Sequence, residues 1–256
     1  MVQRRDEAYV LRTYELGEAD LIVTLLTRGH GRVRGVARSA RRSRKRFGGN
    51  LQPLSHVRAA WTERQGRELH RLETVEGLAS HAAMQSEPVC QAACAVLAEV
   101  SDGFVSDGQR DPDAYRLVGA VLDGLEQGGD PWTLIRYFEF WTLEIHGLMP
   151  SLSDCATCGT PVPDVRPRVS AGRGLLCRSC GPDSGARVRV LSPEDRAFLD
   201  AVRRLPPTAM AGCRVPSRGG GLETLLRGTL ESYLERTVRS YRHLRAVSSP
   251  IGEGTG

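Results

Sequence analysis

Five short runs of alternating apolar and polar residues, a later switch to helical periodicity, and two Cys-x2-Cys pairs predict an α+β multidomain chain. It should comprise an N-terminal OB-fold β-barrel followed by an all-α domain that carries a four-cysteine zinc module. The runs cover residues 8–13, 21–27, 32–37, 54–62 and 68–75. Period two places successive side chains on opposite faces, so each run reads as a strand. Gly17-Glu18-Ala19-Asp20, Gly29-His30-Gly31 and Gln65-Gly66 supply the turns. Five strands with no long helical pattern between them suggest a small antiparallel barrel. Many such barrels place a helix between the third and fourth strands. Here that place holds Arg, Ser and Gly, so a flexible loop is expected.

After about residue 78 the period becomes helical. Residues 88–103 carry Val89, Ala92, Ala93, Val96 and Leu97 at helical spacing, and Cys90 and Cys94 among them read as small buried hydrophobes. Asp111-Pro112 and Asp130-Pro131 each pair a cap residue with a first-turn proline, marking two helix starts. Trp132, Tyr137, Phe138, Phe140 and Trp141 are too many aromatics for one exposed stripe and should form a helical core. Ser192-Pro193-Glu194-Asp195 opens a further helix. One last helix should run from Leu222 to Tyr241 and beyond. Expected boundaries are 1–79 for the barrel, 80–150 and 187–247 for the two parts of the helical domain, 151–186 for the zinc module and 248–256 for a disordered tail.

Charge singles out one stretch. Residues 21–62 hold ten basic side chains and no Asp or Glu, in a chain whose formal net charge is +5. Everything outside that window therefore sums to −5. A field this one-sided repels itself and is most readily completed by a polyanion. A solvated arginine-rich loop would give the same run, but Arg32 and Arg34 alternate with small residues, so a strand would point both to one face. Glu18 and Asp20 are the acids expected beside the field, capping a turn or pairing with arginines.

Cys155, Cys158, Cys177 and Cys180 have the spacing of a metal site, and Gly159 and Gly181 follow the second cysteine of each pair. Four thiolates leave no position for a catalytic water, so zinc here should be structural. Arg166, Arg168, Arg173 and Arg178 crowd the module. They either extend a nucleic-acid surface or form the polar exterior that any small ribbon needs.

Several function classes are excluded. The basic residues are Arg throughout except Lys45, which is followed by Arg46 and lacks the glycines of a P-loop. There is no His-Glu-x-x-His, nucleophile elbow or Rossmann fingerprint, and no carboxylate cluster for a nuclease magnesium site. The residues argue for a binding protein and against an enzyme. No run approaches the ~18 apolar residues of a membrane span, and the N-terminus lacks a signal-peptide core. A cytoplasmic protein is expected.

Glu7-Ala8-Tyr9-Val10-Leu11-Arg12-Thr13, Thr27-Arg28-Gly29-His30-Gly31, Ala37-Arg38-Ser39-Ala40-Arg41-Arg42 and Leu51-Gln52-Pro53, in that order, resemble the N-terminal domain of the bacterial RecO proteins of DNA repair. The likeness continues through residues 140–150 into the cysteine quartet and covers all but the tail. Ser39 stands where many members carry glycine. The resemblance implies a recombination mediator that binds single- and double-stranded DNA and anneals complementary strands. With RecR, such a protein helps load RecA on DNA coated by single-strand-binding protein. The acidic C-terminal tail of that protein would fit a basic, apolar groove in the helical domain.

For DNA contact the expectation is Arg32, Arg34 and Arg38 on the strand, then Arg41, Arg42, Arg44, Lys45 and Arg46 on the loop, with Phe47 stacking on a base. The alternatives are a zinc-ribbon RNA-binding or ribosome-associated protein and, behind it, a metal-dependent DNA enzyme.

Overall fold

The computed structural model describes residues 2–63, 66, 68–79, 87–162, 167–181, 188–213 and 219–248. Gln65, Arg166, Arg187 and the expected tail from 249 lie outside them. The chain divides into two compact units: residues 1–116 with 239–256, and residues 117–238.

The first unit opens with β1 (Val2–Leu16), β2 (Asp20–Thr27) and β3 (Gly31–Ala37). A four-residue helix, α1 (Arg44–Phe47), precedes β4 (His56–Glu63) and β5 (His70–Ala79). These strands close into a barrel in the order β1-β2-β3-β5-β4, antiparallel except where β3 meets β5. Every expected strand is present. The segment between β3 and β4 differs from the expected loop, because α1 interrupts it. Inward positions alternate along each strand and converge on one core that includes Val10, Val23, Leu25, Val33, Trp61 and Leu72.

The first compact unit runs past the last strand of the barrel, to residue 116. On β1 the outward-facing Tyr9 and Leu11 are also buried, and an apolar outer face needs a cover. Helix α2 (Pro88–Phe104) packs on β1. Tyr115 meets the Tyr9 ring at 4.9 Å, and its hydroxyl lies 3.0 Å from Nε2 of His56. Helix α7 (Ser240–Ser248) packs in turn on α2, and the Glu99 carboxylate accepts the backbone N–H groups of Arg239 and Ser240 at 3.1 and 2.9 Å. Such a cap contributes about 1 kcal/mol. Cys90 is buried as expected, and burial pushes the Cys94 thiol up to about 12.

The second unit holds most of α3 (Pro112–Glu126), α4 (Pro131–Ile145), α5 (Pro193–Arg204) and α6 (Gly221–Tyr233). A three-stranded sheet of β6 (Arg168–Ser170), β7 (Gly174–Leu176) and β8 (Val188–Val190) joins them. Asp130 caps α4 through Thr133, and Ser192 with Asp195 forms a capping box on α5. Trp132, Tyr137, Phe138 and Phe140 are core residues, as their number required. So are Arg136 and Glu139, a buried ion pair that apolar periodicity does not reveal.

The single last helix expected from residue 222 onward is two. After α6 the backbone turns through Glu235 at φ 52°, and the Glu231 carboxylate accepts the Val238 N–H at 3.0 Å. Local carboxylate acceptors thus break a pattern whose apolar spacing continues across the gap. Among the described residues no helix is long and apolar enough to cross a membrane.

Candidate nucleic-acid interface and metal centre

The outer face of β1-β2-β3 is set by a β-bulge. Val10 opposes Leu25, but Arg12 opposes Thr24, so the register shifts around Leu11. Before the shift even-numbered β1 residues face the core; after it Thr13 pairs with the inward Val23, and Arg12, Tyr14 and Leu16 face outward. Pairing across β2 and β3 then builds rows on this face. Arg12, Thr24 and Arg34 form one, and Tyr14, Ile22 and Val36 the next.

One end of this face is covered. Arg32 accepts and donates backbone hydrogen bonds with residues 106–108, so the segment after α2 lies beside β3 like a short parallel strand. Gly31, at φ 63°, permits that approach: a Cβ there would stand 1.9 Å from the Gln109 carbonyl oxygen. The segment brings acids with it. Asp107 meets Arg32 at 2.5 Å and Arg34 at 2.8 Å, Asp102 lies 3.6 Å from Arg32, and Glu68 reaches Arg34 at 3.1 Å. Burial works to raise the Asp107 carboxyl pKa, but the hydrogen bond and charge of Arg32, followed by Arg34, hold it below the usual carboxylate range.

Arg32 and Arg34 do share a face, as the alternation required. They are engaged with carboxylates there and are not simply presented to solvent. The expectation that only Glu18 and Asp20 approach the field is corrected accordingly: the chain returns Asp102 and Asp107 to it from some seventy residues away.

Beyond β3 the basic residues are open. Arg38, Arg41 and Arg42 are exposed, and the turn that bears them is pinned to the β1-β2 hairpin. The Ser39 N–H donates to Asp20 at 2.7 Å and the Arg41 N–H to the Ala19 carbonyl at 3.2 Å. Ser39 itself sits at φ 55°, the left-handed region where glycine is relaxed. Arg41 and Arg42 keep 49% and 73% of their side chains exposed while meeting Glu15 and Glu18 at 3.2 and 4.0 Å. Surface pairs of this kind contribute at most about 1 kcal/mol, so a phosphate can displace them.

Arg46 folds back, donating to the Arg38 carbonyl at 2.6 Å and lying 5.0 Å from the Phe47 ring centroid. The side chains of Arg44 and Lys45 lie outside the described ones.

Phe47 does not stack on solvent-borne bases. It is fully buried in the barrel core, because α1, packed on β5, turns it inward. Flanking charges and glycines gave no sign of that. Tyr9 and Trp61 are buried too, and His30 serves the turn it occupies, 3.0 Å from Asp6 with its ring edge on Trp61. Tyr14 remains the exposed aromatic of the barrel, at 46%.

In the second unit the four cysteines come together. Their Sγ atoms lie within 4.8 Å of one another, and Cys158 and Cys177 are 3.7 Å apart. Sulfurs placed tetrahedrally at about 2.3 Å from one ion stand about 3.8 Å apart, so the set fits a metal. Each pair closes the same turn, with the Gly159 N–H donating to the Cys155 carbonyl at 2.8 Å and the Gly181 N–H to that of Cys177 at 3.0 Å. Gly159 takes φ 70°. At Gly181 a Cβ would lie 3.0 Å from the guanidinium of exposed Arg168, a close contact that this flexible side chain can relieve. The Ser179 hydroxyl, with the Cys180 backbone, pulls the Cys177 thiol down to about 6. Arg168, Arg173 and Arg178 are exposed around the module.

Residues 1–81 match the family model described as "Recombination protein O N terminal", and residues 85–242 match "Recombination protein O C terminal". A protein named DNA repair protein RecO from Koribacter versatilis is 37% identical over 239 residues, covering 92% of this chain and 95% of the relative. Proteins of the same name from Anaeromyxobacter sp. (strain K) and Geobacter sulfurreducens are each 34% identical, covering 95% of this chain and 96% and 98% of themselves.

Proposed function

Because the chain belongs to the RecO family of DNA repair proteins, we propose that it is a recombination mediator that binds single- and double-stranded DNA through the barrel and anneals complementary strands in the cytoplasm. The observation that carries this reading is the exposed trio Arg38, Arg41 and Arg42 on a turn fixed to the β1-β2 hairpin. Guanidinium groups there meet phosphates and leave sequence unread, as a general annealing factor requires. Shielded phosphates on two bound strands repel each other less, and local concentration does the rest without a catalytic step. RecR, RecA and single-strand-binding protein are the partners this role implies.

Titration of labelled DNA at several salt concentrations tests it. With the three contacts of this trio on a single strand, affinity should fall by at least about 20-fold between 50 and 200 mM salt. Salt-independent binding would defeat the reading, and matched RNA competing as well as DNA would move it to RNA.

Zinc is the ion proposed for the four cysteines. Soft thiolates in a four-fold set select it, and with all four positions filled by Cys155, Cys158, Cys177 and Cys180 its contribution is structural. For the acidic tail of single-strand-binding protein we propose a groove of about 470 Å³ in the second unit. Leu152, Leu191 and Leu199 line it together with Ser153, Arg196, Arg203 and Asp200, so two arginines outweigh one carboxylate there. Arg203→Glu should weaken a peptide of that tail at least about tenfold, the scale of one charge-assisted contact. Unchanged affinity by isothermal titration would remove the groove from consideration.

A further inference from the structure

We propose that the uncovered end of the outer barrel face, centred on Tyr14, is the site where an unstacked base of single-stranded DNA is held. The inference rests on the DNA-binding reading above and adds to it the group that contacts bases. The bulge at Leu11 turns Tyr14 and Leu16 onto the outer face, and both remain exposed, at 46% and 42%. Ile22 and Val36 continue the Tyr14 row across β2 and β3 and are only half-buried, so the ring stands at the edge of an apolar strip.

The ring is also held in place. The Arg12 guanidinium lies 5.4 Å from its centroid and bonds its hydroxyl, while Asp102 anchors Arg12 at 3.4 Å. With the guanidinium held at the hydroxyl end of the half-exposed ring, the ring is left open to a base, and a ring already oriented loses little entropy on binding.

The surroundings select nucleic acid. The strip ends at the next row outward, where β3 runs into Arg38, and the hairpin tip bonds to the turn carrying Arg41. A strand whose phosphates lie on those arginines brings its bases to the Tyr14 row. Exposed apolar side chains beside phosphate-binding groups are what a sequence-tolerant single-strand site requires, since every base has a stacking face.

The test measures binding of the full chain to a thymidine oligomer and to an abasic oligomer of equal length and charge. Tyr14→Ala should weaken the thymidine oligomer by about 5- to 150-fold, the range for losing one stacked base. It should leave the abasic oligomer and the salt slope unchanged, and Tyr14→Phe should stay within about twofold of the native chain. If Tyr14→Ala binds thymidine like the native chain, or loses equally on both oligomers, the base site is wrong while DNA binding stands. A native chain that binds neither oligomer overturns both readings.

Discussion

Replacing Arg38, Arg41 and Arg42 together by glutamine is expected to lower affinity for single-stranded DNA about 100-fold at 0.1 M salt, and to flatten the logarithmic salt slope by about 2. Each phosphate contact on a single strand releases about 0.7 counterion, so three lost contacts give both figures. The side chains are exposed and their pairs with Glu15 and Glu18 are superficial, so the change should cost little stability. Arg32→Gln is the contrasting substitution. It takes one of two arginine partners from each of Asp107 and Asp102, leaving Arg34 and Arg12, and its main effect should be on the docking of residues 105–109. Fluorescence anisotropy across a salt series separates the two. An unaltered slope in the triple variant would show that phosphates lie elsewhere.

Stripping metal with a chelator, or changing Cys177 to Ser, is expected to take bound zinc from one ion per chain to none and to open the β6-β7-β8 sheet. Structural zinc binds with an apparent free energy on the order of 10 kcal/mol. The module's own core, chiefly Val169, Leu175 and Leu176, is too small to compensate. Ala156 hydrogen-bonds to the Leu175 carbonyl at 2.8 Å, so loss of the cysteine turn propagates directly into β7. Hydrogen exchange should show protection lost in β6 and β7 and retained in the barrel, which has its own core. Metal analysis that still finds one ion in the Cys177→Ser protein would refute the assignment.

The strands, the caps at Asp130 and Ser192 and the cysteine quartet were legible because each is written in a few neighbouring residues. What was not legible depends on distant partners. No local pattern connects Arg32 with Asp107, and none shows that Phe47 turns into the core while Tyr14 is turned out by a bulge earlier in its own strand. The break between α6 and α7 was hidden because apolar spacing persists through it, while the carboxylates of Glu231 and Glu99 that stabilise it read in sequence as ordinary surface acids.

On the proposed DNA-binding reading, the segment that docks on β3 also sets how long a strand stays. It leaves little more than the Tyr14 row and the row beyond it open, a strip of about 7 Å along each strand. So short a strip engages few bases, and the complex lifetime is then governed by the arginine contacts, which a competing polyanion can displace one at a time. Dissociation should therefore quicken steeply as salt rises, because differences in affinity reside mainly in the off-rate. In the proposed mediator role, such brief occupancy would let a strand pass on to the next protein, and the segment docked on β3 would be its structural source.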